Sequence, residues 1–369
     1  MEFKKFIPLN VSSKFAICGV PLRVDTYKTC SFGCKYCFSN CRVIMEFEKN
    51  LQIANLQWLE KKLDKIYNKG IYNPETFLDV LIKDRITWHC GGMSDPFQPI
   101  EKKLNVTRDM VEIANKHDVS ILFSTKSDTV YNANIRPDLH TFQLSVTNMD
   151  NRKDIEPNVP DIQKRIQFYK DLKADGFKVG IRVQPFMPGI TTLDIVDTFR
   201  DADYFTIEGI KIVPQNKEHK EEVLRLLNLD KSDFTQMGLL NLKPEIRLEA
   251  YKEFVNRLKM YDIPFSIADN DLHYITSGNC CCGDPLIKKA TTFNNTHLLN
   301  QKGLNYTLQD VKDNLGEYAE CKCSQLFTSN RTEGCKKVEE FYDKRFDRAS
   351  SPFSPKFQYV EEKKKLIIA

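Results

Sequence analysis

The stretch CSFGCKYC at residues 30–37 sets three cysteines in one short loop, and the rest of the chain is interpreted from it. Three residues separate Cys30 from Cys34, and two separate Cys34 from Cys37. Three thiolates can bind three irons of a cubane cluster and leave the fourth iron without a protein ligand. A structural zinc site or a closed cluster needs a fourth ligand, which Cys41 could supply. The spacing favours a 4Fe-4S cluster with one open iron, and zinc or a closed cluster stay as alternatives.

The composition limits the kind of protein without identifying it. The chain has 369 residues, of which 41% are hydrophobic, enough for one large domain or one domain with a smaller appendage. The 54 basic and 50 acidic residues leave a net charge of +4, which neither requires nor excludes a nucleic-acid partner. The N-terminal residues lack the apolar core of a signal peptide, and no run of about 18 apolar residues predicts a membrane helix. We therefore expect a cytoplasmic protein without a membrane partner.

The twelve cysteines fall into two groups, one near each end of the chain, with Cys90 alone between them. In a reducing compartment, clustered cysteines indicate metal binding rather than disulfides. The candidate ligands of an auxiliary metal site in the C-terminal group are Cys280, Cys281, Cys282, Cys321, Cys323 and Cys335. Side chains of consecutive cysteines point apart, so about two of the first three would join the others. A second 4Fe-4S cluster, a zinc ion and no metal at all are the alternatives.

Apolar, β-branched strands alternate with amphipathic helices after the cysteine loop. The predicted helices cover 51–68, 106–118 with Thr107 as N-cap, 160–176, 192–202 and 247–262. The predicted strands cover 85–92, 119–125, 142–147, 177–185, 204–213 and 263–268. About six such units predict an α/β fold with a parallel sheet, a partial (β/α)6 TIM-like barrel. We place this core domain at residues 1–270 and a cysteine-rich C-terminal region at 271–369.

Several residues with chemical potential follow the predicted strands, where ligands collect in such folds. Gly91 and Gly92 would let the backbone approach a ligand closely. Ser94 and Asp95 are polar candidates for a ligand contact, or form a turn with Asx-type hydrogen bonds. Lys126 could pair with a carboxylate as a point charge, or lie exposed on the surface.

Two further candidates lie on the predicted strands themselves. Ser145 could contact a ligand, or could bond to neighbouring backbone. Arg182 lies on a strand predicted to be buried, so its charge needs a partner. A cofactor group or a structural carboxylate such as Glu156 would serve, and we favour the carboxylate.

The cysteine loop resembles the radical S-adenosylmethionine (SAM) superfamily pattern CxxxCxΦC, in which Φ is aromatic and Tyr36 fills that place. Further segments resemble the spore photoproduct lyase-like subgroup in the same order. They are CGGMSDPFQPIE (90–101), FSTKSD (123–128), LSVTNMD (144–150), EPNVPDIQKRI (156–166) and IRVQPFMPGIT (181–191). The resemblance covers residues 30 to 191, about half of the chain.

The resemblance implies an enzyme of lyase or oxidoreductase type that reductively cleaves SAM at a 4Fe-4S cluster. The resulting 5′-deoxyadenosyl radical would abstract hydrogen from an organic substrate. It implies that Tyr36 packs near the adenine and that the segment with Ser94 and Asp95 binds the methionine amino group. Lys126 would pair with the SAM carboxylate, and Ser145 would contact the ribose. The electron would come from a reducing partner such as flavodoxin or ferredoxin.

Cys90 is the candidate catalytic residue that the resemblance implies. Spore photoproduct lyase uses a cysteine near this strand end as a hydrogen-atom donor. Here the cysteine lies two residues earlier relative to Ser94 and Asp95 than the family pattern places it. The alternative is a core cysteine, the common role of a cysteine in an apolar strand.

The substrate stays open at this point. The resemblance indicates a nucleotide or a DNA lesion. Radical modification of a peptide or small molecule with an auxiliary cluster is one alternative, and a non-enzymatic zinc-binding scaffold is another. The basic segments 61–69 and 216–225 contain acidic neighbours, so they predict solvated helix faces rather than a nucleic-acid surface.

Overall fold

A computed structural model describes most of the chain up to residue 269 and isolated parts beyond it. The described residues are 3–12, 18–39, 51–237, 239–269, 271–272, 275–277, 280, 282, 309, 312–313, 316–321, 357–360 and 365–368. Cys41, Cys281, Cys323 and Cys335, all named as candidate ligands, lie outside them.

Fifteen strands and eight α-helices are assigned within the described residues. The strands β1 to β15 are Lys4–Phe6, Leu9–Val11, Leu22–Val24, Gln52–Ala54, Trp88–Cys90, Ile121–Thr125, Thr141–Ser145, Val179–Phe186, Tyr204–Gly209, Lys211–Ile212, Phe234–Met237, Leu239–Leu242, Phe265–Ile267, Phe357–Val360 and Lys365–Ile368. The helices α1 to α8 are Leu56–Tyr67, Phe77–Lys83, Glu101–Leu104, Val106–Lys116, Ile162–Ala174, Asp194–Thr198, Lys217–Leu227 and Pro244–Met260. Short 3-10 helices cover Lys231–Asp233 and Gly316–Glu320. In the described ranges, no helix is long and apolar enough to cross a membrane.

An eight-stranded sheet in the order β13-β9-β8-β7-β6-β5-β3-β2 forms the centre of the molecule. All neighbours pair in parallel except β2, which pairs antiparallel with β3 at one edge. Six of the parallel strands follow the cysteine loop, which agrees with the predicted alternation of strands and helices. Among the described strands, β13 pairs with β9 alone, so the sheet is open and the barrel is not closed.

Alternate residues of the parallel strands face two different environments. On the outer face, Phe123 and Phe142 stack with ring centroids 5.4 Å apart, and Phe168 of α5 contacts Phe142 at 6.2 Å. Phe205 of β9 meets Phe254 of α8 in the same way at 6.2 Å. The helices thus bury the outer face and leave the intervening residues to line the inner face.

The inner face is polar. Its side chains include His89, Ser124, Gln143, Arg182, Gln184, Thr206 and Glu208, which alternate with the outer apolar residues. Polar groups inside a folded domain need hydrogen-bond partners. This face is therefore the place where the sheet can meet a polar ligand.

A small antiparallel sheet interrupts the alternation after β9. The strand predicted at 204–213 divides into β9 and β10, and β10 pairs with β12, which pairs with β11. Together with α7 these strands enclose apolar side chains such as Val223 and Leu240, which cluster with Tyr36 of the cysteine loop. The excursion at 211–242 therefore packs against the cysteine loop, which sequence periodicity did not predict.

Other boundaries differ from the predictions for local reasons. The helix predicted at 51–68 begins only at Leu56, because β4 occupies the first residues and the Asn55 side chain accepts from the Trp58 amide at 3.1 Å. Thr107 is not an N-cap, since its hydroxyl donates to the Pro96 carbonyl at 2.7 Å. Strand β8 continues past Pro185, with an irregular register before Phe186.

The described residues beyond 270 contact the first part of the chain. Glu317 pairs with Lys83 and accepts a hydrogen bond from the Tyr72 hydroxyl at 2.6 Å. Cys321 packs in the main core and donates to the Pro74 carbonyl at 3.5 Å. The division into residues 1–270 and 271–369 stays a prediction.

Replacing Gly91 by alanine tests the tightest approach between strands. Gly91 has φ +101, and a Cβ there would overlap the backbone carbonyl oxygen of Ser124. Gly70 has φ +67 but no heavy atom within 4 Å of such a Cβ, so it is the matched control. We expect Gly91→Ala to lose about 2 kcal/mol more free energy of unfolding than Gly70→Ala, measured in urea. Equal losses would show that the Ser124 contact does not restrict this position.

Candidate active site

The cysteine loop follows the carboxyl end of β3 and is held by its neighbours on both sides. The Gln98 amide accepts from the Ser31 N–H and donates to the Thr29 carbonyl, both at 2.8 Å. The Lys35 N–H donates to the Ile155 carbonyl at 2.9 Å. Within the loop, Gly33 has φ +64, a conformation that favours glycine and reverses the chain between the first two cysteines.

The thiols of Cys30, Cys34 and Cys37 are half-buried in this loop. Removal from water, with a further contribution from Asp95, raises the pKa of Cys30 to about 12. Removal from water also raises the pKa of Cys34, and the neighbouring cysteines add to the effect. Without a bound cation the thiols of Cys30 and Cys34 stay protonated at neutral pH, whereas metal ions stabilise thiolates.

The donor set fits an iron–sulfur cluster better than a single ion. In the part of the chain that the structure describes, no three His, Cys, Asp or Glu side chains gather around one metal ion. A cubane places each thiolate on a different iron, so its three cysteines need not converge on one point. The loop offers three thiols within eight residues of chain at the carboxyl edge of the sheet, as such a cluster requires.

A buried carboxylate, Glu156, connects the cysteine loop to the sheet. The Tyr36 hydroxyl donates to Glu156, and the Lys126 ammonium lies 2.9 Å from the same carboxylate oxygen. Arg165 of α5 lies 3.9 Å from the other oxygen. Thr147 donates a further hydrogen bond at 3.0 Å. We call Glu156, Tyr36, Lys126 and Arg165 the Glu156 cluster.

The cluster keeps Glu156 charged. Burial acts to raise its pKa, but the charges of Lys126 and Arg165 and the hydrogen bonds outweigh burial and lower the pKa to about 2. The Lys126 ammonium also lies 5.6 Å from the centre of the Tyr36 ring. A positive charge is therefore held next to an aromatic face at the edge of the cysteine loop.

The structure uses Ser94 and Asp95 in a turn. Asp95 accepts hydrogen bonds from the Thr125 hydroxyl at 2.7 Å, the Lys126 N–H at 2.6 Å and the Phe97 N–H at 2.9 Å. The Ser94 hydroxyl donates to the Tyr27 carbonyl at 2.7 Å. These contacts match the Asx-type turn that the sequence left as an alternative, and contact with a SAM amino group stays a prediction.

The two glycines allow a close approach within the protein. The Cβ of an alanine at Gly91 would overlap the backbone of Ser124, and at Gly92 it would lie 3.0 Å from the Arg23 side chain. Close contacts within the protein therefore explain the glycines at 91 and 92. Their contact with a ligand stays a prediction.

Ser145 and Arg182 lie side by side in the register of β7 and β8. The Ser145 carbonyl accepts from Arg165. Arg182 donates to the Gln143 side-chain oxygen at 3.2 Å. The carboxylate expected to pair with Arg182 is instead beside Arg165, a residue that sequence reasoning did not single out.

A second polar group lies at the carboxyl ends of β8 and β9. The Gln184 amide donates to Glu208, and Lys211 pairs with the same carboxylate. Glu208 is only 2% exposed. Glu208 is the one acidic residue of the segment YFTIEG, and this is the sequence signal that could have identified the group.

Cys90 faces the helices rather than the inner face. It is 0% exposed, belongs to the main hydrophobic core and lies opposite Phe123 in the register of β6. Burial raises the pKa of its thiol. This position supports the core role and gives no support to the predicted hydrogen-donor role.

Three of the six C-terminal cysteines lie within the described residues, in two places. Cys280 and Cys282 cluster with Cys18 at the inner face, whereas Cys321 lies in the main core. The auxiliary metal site that includes Cys321 stays a prediction. Cys18 and His89, which approach Cys282, were missed because the sequence separates them from it widely.

Comparison with known proteins identifies the fold. No protein-family model matches the chain. An uncharacterized protein of Methanocaldococcus jannaschii is 26% identical over 238 residues, covering 60% of this chain and 82% of that protein. Spore photoproduct lyase complexed with a dinucleoside spore photoproduct aligns with a TM-score of 0.52 and 14% identity over 71% of this chain and 80% of that chain. A variant of the lyase gives 0.52 and 15%, with 71% and 81% covered. The chain therefore has the fold of spore photoproduct lyase over the 71% of its length that aligns.

Changing Glu156 to glutamine should remove a pH dependence. Because the pKa of Glu156 falls from its usual 4.5 to about 2 on folding, its charge stabilises the fold above pH 4.5. That contribution is lost as the pH falls toward 2. Between those limits, we expect the wild type to lose on the order of 3 kcal/mol more unfolding free energy than Glu156→Gln, measured in urea.

The control for this experiment is Asp161→Asn, which removes an exposed carboxylate that lies 2.8 Å from Lys153. Surface pairs contribute little, so this variant should follow the wild type across the same pH interval. Parallel pH profiles for the wild type and Glu156→Gln would contradict the assigned electrostatics.

The core position of Cys90 makes a different prediction. Cys90→Ser buries a hydroxyl among apolar side chains, whereas Cys90→Ala leaves a small cavity without a polar group. We expect the serine variant to be about 1 kcal/mol less stable than the alanine variant in urea denaturation. A serine variant as stable as the alanine variant would contradict the apolar surroundings assigned to Cys90.

Proposed function

We propose that this protein is a radical SAM enzyme in which Cys30, Cys34 and Cys37 hold a 4Fe-4S cluster with one iron open to SAM. The single observation that carries the proposal is the three-cysteine loop at the carboxyl edge of an open parallel sheet, beside the Glu156 cluster. When bound, the cluster and SAM supply a 5′-deoxyadenosyl radical able to abstract hydrogen from carbon.

The chain's own residues would bind and orient SAM. Tyr36 presents an aromatic ring on the loop itself, fixed by its hydrogen bond to Glu156. Lys126 presents a positive charge whose position is fixed by the same carboxylate, at 2.9 Å. The lysine would pair with the SAM carboxylate without paying the full cost of ordering a free side chain.

The polar inner face supports a polar substrate. Arg182, Gln184 and Glu208 place a guanidinium, an amide and a carboxylate on neighbouring strands. These groups suit the hydrogen-bonding edges and phosphates of a nucleotide. Spore photoproduct lyase, which shares the fold, has been solved with a dinucleoside spore photoproduct. We therefore propose a nucleotide-containing substrate, which includes a DNA lesion, and a reducing partner of the flavodoxin or ferredoxin class.

Anaerobic reconstitution with iron and sulfide tests the proposal. With dithionite and SAM, we expect the wild type to form 5′-deoxyadenosine and to hold about four irons in the loop. Cys34→Ala should lose at least about a hundredfold in 5′-deoxyadenosine formation, because its iron lacks a ligand. The control Cys321→Ser changes a cysteine of the main core and should retain the activity.

Two results of this experiment would contradict the proposal. No 5′-deoxyadenosine and no effect of SAM on the cluster's EPR signal would remove the radical SAM function. Zinc in the loop without iron after reconstitution would put the zinc-binding scaffold in its place.

A further inference from the structure

Three cysteines and a histidine from distant parts of the chain meet at the inner face of the sheet. Cys18 Sγ lies 3.7 Å from Cys282 Sγ, and Cys282 Sγ lies 3.9 Å from His89 Nδ1. Cys280 Sγ accepts from the Gly19 N–H at 2.9 Å. We propose that Cys18, His89, Cys280 and Cys282 bind one zinc ion, and we call them the inner-face site.

The two measured spacings match those between ligands of one tetrahedral zinc. With Zn–S of about 2.3 Å and Zn–N of about 2.0 Å, neighbouring ligand atoms lie about 3.8 Å apart for two sulfurs and about 3.5 Å for sulfur and nitrogen. The sulfurs of Cys18 and Cys282 are too far apart for a disulfide, whose S–S bond is about 2.05 Å. Thiolates on different irons of a cubane point away from each other, so the short S–S spacing favours a single ion.

The hydrogen bonds around Gln143 fix the state of His89. The Gln143 amide nitrogen donates to the Cys282 carbonyl, so its oxygen faces Ser124 and Arg182. Arg182 can only donate, and the Ser124 hydroxyl donates to the same oxygen at 3.2 Å. The Ser124 oxygen is then the acceptor for His89 Nε2–H at 2.8 Å.

In the tautomer with Nε2–H, Nδ1 is the nitrogen with the lone pair, and this atom faces Cys282. A metal-binding histidine characteristically donates its other ring N–H to a neighbouring polar group, which fixes the ring. Ser124 has that role here. Neutral imidazole with Nδ1 open is the form that binds zinc.

Two backbone N–H groups are directed at the sulfur of Cys280. It accepts from the Gly19 N–H at 2.9 Å and lies 3.4 Å from the Cys282 N–H. Because one residue separates Cys280 from Cys282, the Cys280 sulfur can accept from the backbone N–H of Cys282.

In the metal-free arrangement Cys282 contacts Cys18 and His89, and the four side chains do not yet surround a common centre. The Cys280 sulfur contacts the backbone N–H groups of Gly19, which follows Cys18, and of Cys282. A rotation of the Cys280 side chain is therefore the change we expect on binding. Side-chain rotations of this kind cost little compared with the binding free energy of a structural zinc.

The inner-face site lies away from the cysteine loop. Cys18 precedes β3, and Tyr204, which donates to the Cys280 carbonyl at 3.4 Å, begins β9. The site is therefore at the amino end of the strands, whereas the loop follows the carboxyl end of β3. Four protein ligands leave no open position, which is typical of structural zinc. The ion would fasten the segment of Cys280 and Cys282 to the N-terminal segment of Cys18.

The test begins with the full chain carrying Cys30→Ala, Cys34→Ala and Cys37→Ala, so that its metal content is independent of the cysteine loop. Mass spectrometry of purified protein should find about one zinc per chain. Adding Cys282→Ser, Cys18→Ser or His89→Ala should lower the zinc content at least fivefold. Adding Cys321→Ser, the matched control, should leave it unchanged. Failure of the proposed radical SAM function would not alter these results.

A second measurement needs no ligand variant. In the protein with the three loop cysteines replaced, Cys18, Cys280 and Cys282 should resist alkylation until a chelator removes the zinc. Cobalt substitution should give the absorption of a tetrahedral thiolate site. Zinc retained in Cys282→Ser and Cys18→Ser, or alkylation unaffected by chelator, would overturn the proposal. About four irons in place of zinc would also overturn it, in favour of an auxiliary cluster.

Discussion

Every side chain of the central parallel strands must face either the helices or the inner face of the sheet, and this constraint organises the molecule. The outer positions, among them Trp88, Phe123 and Phe142, are filled by large apolar groups that pack on the helices. The positions between them, such as Ser124 and Gln143, are polar and bond to one another. One residue of displacement along a strand therefore separates a core role from a ligand-binding role. Cys90 lies on the outer side of that division, and His89 lies on the inner side.

The Glu156 cluster holds the cysteine loop against the carboxyl edge of the sheet. A buried carboxylate is costly unless it is paired and hydrogen-bonded. Glu156 meets that requirement with groups from the cysteine loop, from the end of β6 and from α5. The same contacts that keep its charge favourable fix Tyr36 and Lys126 in place. Tyr36 and Lys126 are thus already ordered by contacts within the protein before any ligand binds. Ligand binding therefore need not supply the entropy cost of ordering them.

Sequence reasoning succeeded where the signal is local and failed where it depends on distant pairs. Apart from the helix at 101–104 and the excursion at 211–242, the strands and helices from 85 to 268 follow from periodicity. The loop of Cys30, Cys34 and Cys37 follows from spacing. The excursion at 211–242 was missed because YFTIEGIKIV has the pattern of one continuous strand, although Gly209 and Ile210 divide it between two sheets. Arg182 was assigned the carboxylate that belongs to Arg165, since charge and burial alone do not decide which of two arginines reaches a partner.

The side-chain amide of Gln143 links two parts of the inner face, at Cys282 and at Arg182. Gln143 donates to the Cys282 carbonyl and accepts from Arg182, so the segment that carries Cys282 fixes which end of the amide faces the guanidinium. An amide turned by half a rotation would place its N–H donors against the Arg182 guanidinium, which is itself only a donor. The hydrogen bond of Arg182 on the polar inner face therefore depends on a residue of the C-terminal region. This long-range contact joins the C-terminal region, which lacks the strand–helix alternation, to the polar inner face of the alternating strands.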